Sequence, residues 1–158
     1  MEAIRVVIVL AFYYDLQLRQ IDFTTAFLNG DMDVDVNMEQ PELFDDGGGR
    51  VCLLKKSLYG LKQAPLIWNA TLKKYLVKLG FKPSIIADGV YVMWIDDSPI
   101  FLTVYVDDVV IAAKTNQITW LISQLKSEFK LKDLGEINLL LAMDVKVEPT
   151  RVTLSQES

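Results

Sequence analysis

Tyr105-Val106-Asp107-Asp108 interrupts the most apolar stretch of the chain, which runs from Phe101 to Ala113. The apolar residues on either side read as two short buried strands, with the acidic pair at the turn between them. Two carboxylates beside a hydrophobic sheet repel each other and lose hydration, so they must be paired, protonated or bound to a cation. The sequence has no histidine, and no basic residue lies between Pro99 and Ala113, so a cation brought from outside is the simplest partner. Two-metal phosphoryl transfer needs such carboxylates, converging from separate strands on ions about 3.5–4 Å apart. The best third carboxylate is Asp22, which ends a short apolar strand between Ile21 and Phe23. Simpler roles stay open on spacing alone. Aspartate is common in hairpin turns, and a strand-end aspartate can cap the next helix.

The elements that must position these residues follow from periodicity. Residues 2–18 read as an amphipathic helix, and residues 20–23 as a short strand. Residues 24–28 form a short helix closed by Asn29-Gly30. Residues 31–50 are acidic and loop-rich, with a strand candidate at 34–38 and a flexible turn at 45–49. A strand at 51–54 precedes a turn into a helix that starts near Pro65 and stops at Gly80. Its inward face is Ile67, Trp68, Thr71, Leu72, Tyr75, Leu76 and Leu79, with Lys73, Lys74 and Lys78 outward. A strand at 89–95 and the hairpin at 100–113 come next. Thr115 or Asn116 then caps a helix with Ile118, Leu121, Ile122, Leu125 and Phe129 on its apolar face. A last strand covers 139–147. The order predicts one α+β domain over residues 1–158, a mostly antiparallel sheet with helices on one face.

Composition narrows the chemistry. The chain has 158 residues, half of them apolar, which suits a globular domain with a real core. A single cysteine, Cys52, excludes an internal disulfide. Without histidine, Ser-His-Asp and Cys-His nucleophile systems are excluded too. No stretch approaches the roughly 20 apolar residues of a membrane span. The net charge is −5, yet residues 50–82 carry eight basic and no acidic groups. That segment can neutralise phosphates in a salt-dependent way, or simply form a solvated lysine face.

Five ordered blocks resemble the reverse transcriptases of copia-type retrotransposons: residues 20–30, Met38-Glu39-Gln40-Pro41, residues 55–65 followed by Trp68, Tyr105-Val106-Asp107-Asp108, and residues 131–135. The resemblance covers nearly the whole chain. It implies the palm of a right-handed polymerase with part of the fingers, and RNA- or DNA-templated DNA synthesis on a primer. It also implies two magnesium (or manganese) ions and deoxynucleoside triphosphates. By resemblance Asp22, Asp107 and Asp108 are the catalytic, metal-holding aspartates, joined by the backbone of Phe23. Asp22 and Asp107 are the more direct ligands. Phe27 matches the ring that closes under the incoming sugar as a steric gate. Tyr59 and Gly60 match a turn near the nucleotide. Lys55, Lys56, Lys62, Lys73 and Lys74 are the expected nucleic-acid contacts, and Trp68 is expected in the core.

The chain departs from the family at Leu66, where arginine usually follows Ala-Pro, and at Leu141-Ala142-Met143, where the pattern usually ends Leu-Gly-Ile. Against the family pattern it looks truncated at both ends, a palm-centred piece without the preceding fingers strands, ribonuclease H or integrase segments. The expectation is therefore either a polymerase domain or a catalytically silent remnant with weak nucleic-acid binding. A nucleotide cyclase with a similar palm is disfavoured by residues 57–65. An intracellular setting, cytoplasmic or nuclear, is implied by the resemblance alone, and nothing in the residues indicates a compartment.

Overall fold

The computed structural model describes residues 2–137, 139–140, 143–148 and 151–155. The chain packs as two compact units, one of residues 1–24 with 75–158 and the other of residues 25–74.

The first unit is built on helix α1 (Glu2–Tyr13) and strand β1 (Gln17–Phe23). The expected helix over 2–18 ends earlier, because Asp15 turns the backbone left-handed at φ 51. Asp15 N–H then donates to Phe12 O and Leu16 N–H to Ala11 O, closing the helix. Leu16 to Leu18 thus lead into and begin β1. The second unit contributes β2 (Asn37–Glu39) and β3 (Val51–Leu53), paired antiparallel. Helix α2 (Ala64–Leu79) follows, its last turn belonging to the first unit. Pro65 lies in its first turn, as expected, and Gly80 (φ 106) stops it with Phe81 N–H on Leu76 O and Gly80 N–H on Val77 O.

The remaining strands of the main sheet are β4 (Lys82–Pro83), β5 (Val90–Ile95), β6 (Ser98–Tyr105), β7 (Asp108–Ala113) and β8 (Leu131–Glu136). Helix α3 (Thr115–Glu128) lies between β7 and β8. The sheet is antiparallel throughout, in the order β4-β5-β6-β7-β1-β8. The expected cap on α3 is displaced by one residue. Lys114 holds that position, and its N–H is taken by the Gln117 side chain at 3.0 Å. The single last strand expected at 139–147 is instead β9 (Leu139–Leu140) and β10 (Met143–Glu148), with β11 (Arg151–Ser155) closing a separate three-stranded sheet; residues 141–142 lie outside the described residues. Among the described residues, no helix is long and apolar enough to cross a membrane.

The expectation of helices on one face needs correction. Helix α1 packs Ile4, Val7, Ile8 and Ala11 against Leu18, Phe101, Val110 and Ala112. Phe129, at the end of α3, makes an edge-to-face contact with Phe23 at 5.5 Å. Leu18 and Phe23 have opposite parity on a strand paired with β7 without a break, so they point to opposite faces. The sheet is therefore covered on both sides. That is why β6 and β7 read as unbroken apolar runs rather than as alternating strands.

Gly89 shows how tightly β6 is held. Val104 N–H donates to Gly89 O at 2.8 Å, and the Gly89 backbone has φ +76. A Cβ there would lie 2.7 Å from Val104 O. Gly89→Ala is expected to destabilise the protein by about 1–3 kcal/mol, read as a lower urea midpoint with an unchanged slope.

Candidate metal and nucleic-acid sites

The carboxylate site grows out of strand register. Strand β1 runs antiparallel to β7, and Asp22 stands directly opposite Asp108. On its other side β1 pairs with β8, and there Asp22 stands opposite Lys132. Strand β6 pairs with β7 so that Tyr105 stands opposite Asp108. Residues directly opposite across a sheet share a face, with Cβ atoms about 4.5–5.5 Å apart. One transverse row thus reads Tyr105, Asp108, Asp22, Lys132 across four adjacent strands. It lies on the face that α1 covers further along, from Leu18 to Val110, and its members stay partly or fully exposed.

The β6–β7 turn supplies Asp107. Val106 takes the left-handed conformation at φ 54, unusual for a β-branched residue and costing about 1–3 kcal/mol. The expectation placed both aspartates in the turn. Instead Asp107 is the turn residue and Asp108 the first residue of β7. Phe23 N–H donates to Asp107 O at 2.9 Å, which ties the turn to the end of β1. Asp107 Oδ1 is shielded from solvent.

The charges are unevenly matched. Burial, then Asp108, then Asp107 push the Asp22 carboxyl above its ordinary pKa, and Lys132 opposes them. Gln20, on the same face one step along β1, donates from Nε2 to Asp108 Oδ1 at 3.3 Å. On the opposite face Arg19 binds Asp133 through two hydrogen bonds of 2.7 Å, locking β8 to β1. That contact, followed by the Gly135 N–H bond, holds the Asp133 carboxyl below the usual carboxylate range, and Asp133 in turn raises Arg19.

Oxygen-only donors fit a hard divalent cation such as magnesium. Asp22 and Asp108 are already side by side, and like charges directly opposite on a sheet are destabilising until something neutralises them. Even so, among the described residues no group of three acidic, cysteine or histidine side chains is arranged closely enough to hold a metal ion. The backbone brings the three aspartates together, but their side chains do not converge as a ready-made ligand set. An open groove of about 350 Å³, lined in part by Ile8, Phe12, Leu18 and Glu148, lies at the far end of β1 from Asp22 and takes no part in this centre.

The other expected residues lie in the second unit. Phe27 follows a left-handed Thr25 (φ 53) in a short 3-10 helix, Ala26–Asn29. It is 7% exposed, and its ring lies 4.4 Å from that of Tyr59, which is half exposed. Phe27 O accepts hydrogen bonds from Ser57 Oγ and Gly30 N–H. Gly60 has φ 96 and open space where a Cβ would be. Trp68 is buried, as expected of a core residue. Lys55, Lys56, Lys62, Lys73 and Lys74 are all exposed. Lys56 is partly neutralised by Asp31 at 2.7 Å, and Arg50 by Asp46. Gln20 and Lys132 were not among the expected site residues. Period-two spacing from Asp22 points to Gln20; Lys132 sits inside the 131–135 block but becomes a neighbour of Asp22 only through strand pairing.

All of residues 1–158 match the reverse transcriptase (RNA-dependent DNA polymerase) family, and the chain belongs to that family. Its relatives are of the copia type. It is 38% identical over 159 residues to the retrovirus-related Pol polyprotein from transposon RE1 of Arabidopsis thaliana, covering 98% of this chain and 11% of the relative. Against the corresponding polyprotein from transposon TNT 1-94 of Nicotiana tabacum, identity is 38% over 163 residues, covering 99% and 12%. A transposon Ty5-1 protein of Saccharomyces cerevisiae is 37% identical over 128 residues, covering 79% and 42%. The chain thus spans only a small part of the Pol polyproteins it matches.

The charge balance at Asp22 has a measurable consequence. A carboxyl whose pKa is raised in the folded state weakens the fold once ionised. That penalty is absent in acid and develops as pH rises through the raised value. Asp22→Asn is expected to raise the thermal midpoint at neutral pH in EDTA, by about 2–4 °C per kcal/mol recovered, with the gain fading as the pH is lowered. Calorimetry of both proteins across pH measures it.

Proposed function

We propose that this chain forms the palm and part of the fingers of a polymerase that copies RNA or DNA into DNA. In this reading Asp22, Asp107 and Asp108, with the backbone of Phe23, hold two magnesium or manganese ions. The observation that supports it most is the register that sets Asp22 opposite Asp108 beside the Asp107 turn, in a chain of this family. The 3′-hydroxyl of a primer attacks the α-phosphorus of a deoxynucleoside triphosphate in line, and pyrophosphate leaves. When bound, the ions supply Lewis-acid polarisation of the phosphoryl oxygens and make the hydroxyl more acidic. The protein's share is positioning. The Phe23–Asp107 backbone bond fixes the turn against β1, and Gln20 orients Asp108. Phe27 acts as the steric gate against a ribose 2′-hydroxyl, and Tyr59 and Gly60 form the nucleotide-side turn. Lys55, Lys62, Lys73 and Lys74 track the template–primer backbone, and Lys56 contributes less because Asp31 already neutralises it.

A second reading, a nucleic-acid-binding remnant without catalysis, draws on the absence of a converged three-ligand cluster among the described residues. Magnesium- or manganese-dependent extension of a DNA primer on an RNA template separates the two. The polymerase reading expects extension by the wild type and a loss of at least about 100-fold in Asp107→Asn, with template–primer affinity almost unchanged. A folded wild type that extends nothing with either metal contradicts it.

Binding itself carries a further expectation. Lys73→Ala and Lys74→Ala should each reduce the steepness of log affinity against log salt by about 1, while Lys56→Ala should change it less. Fluorescence anisotropy across a salt series gives these slopes.

A further inference from the structure

We propose that Lys132 is a built-in counter-ion for the Asp22–Asp108 pair, supporting the carboxylates before a metal enters and weakening the grip on the metal afterwards. The inference rests on the metal-site reading above and adds a residue to it. Two observations carry it. Lys132 stands opposite Asp22 on the neighbouring strand and shares its face. Its strand is pinned from the other face by the paired Arg19–Asp133 bonds, so its register is secured one residue away. Arg19, the basic residue of β1 itself, lies on the opposite face and is committed to Asp133.

The physics gives two effects of opposite sign. Without metal, an ammonium beside two opposed carboxylates offsets their repulsion. With metal, the same ammonium repels the divalent ion and must swing away, which its exposed edge-strand position allows. A lysine that merely tightened β8 would affect stability alone.

The test is Mn²⁺ binding, followed by electron paramagnetic resonance of the free ion, together with thermal unfolding in EDTA. Wild type, Lys132→Gln, Lys132→Arg and Asp22→Asn are compared. Lys132→Gln is expected to bind Mn²⁺ roughly threefold to tenfold more tightly than wild type and to unfold at a lower temperature in EDTA. Lys132→Arg, which keeps the charge, is expected to match wild type in both. Lys132→Gln with wild-type Mn²⁺ affinity, whether or not its midpoint falls, overturns the counter-ion role while Asp22→Asn still weakens binding. Mn²⁺ binding that Asp22→Asn leaves unchanged overturns the metal-site reading and this inference with it.

Discussion

The antiparallel register between β1 and β7 places Asp22 opposite Asp108, setting two like charges side by side on a sheet. Nothing about folding favours that pairing in itself. It is held by what surrounds it. Ile21 and Phe23 anchor β1 on one face, and Leu18 anchors it on the other under α1. Val109 to Ala113 are buried throughout. A shift of β1 by one residue would turn Asp22 into the core and Ile21 out to solvent, so the apolar pattern strongly specifies the register that creates the repulsion. The left-handed Val106 and the raised Asp22 pKa are further costs concentrated at the same end of the sheet. Local strain and unbalanced charge of this kind cluster at functional sites.

The two units divide the chemistry differently. The first holds the carboxylates on strand ends of a sheet covered on both faces. The second holds the Phe27–Tyr59 ring pair and most of the exposed lysine segment. The Pol polyproteins of transposons RE1 and TNT 1-94 carry the matching stretch as about a ninth of their length, within a much larger chain.

Much of this organisation was legible in the residues, wherever local chemistry decides. Pro65 and Gly80 mark the ends of α2, and the apolar stripe of α3 is plain from Ile118 to Leu125. The Asp107-Asp108 hairpin stands out because charge interrupts an apolar run. What was not legible depends on pairing between distant segments. The strand β8 contains Lys132, Asp133 and Gly135, a composition that argues for a turn, yet it pairs along β1 as an edge strand, with Arg19 binding Asp133 across the pair. Lys132 as a neighbour of Asp22 is therefore invisible before the register is known. The second covered face was signalled by the unbroken apolar runs of β6 and β7, whereas the expectation weighed the helices singly and placed them together. The early end of α1 turns on one left-handed aspartate, Asp15, which propensity does not mark.

The central claim is that the β1–β7 register builds a cation site from Asp22, Asp107 and Asp108. The most direct measurement is anomalous-difference density from crystals of the protein grown with Mn²⁺. The account predicts a peak bounded by the three carboxylates at the end of the sheet. Well-ordered carboxylates with no peak between them, or manganese bound only elsewhere, would contradict it.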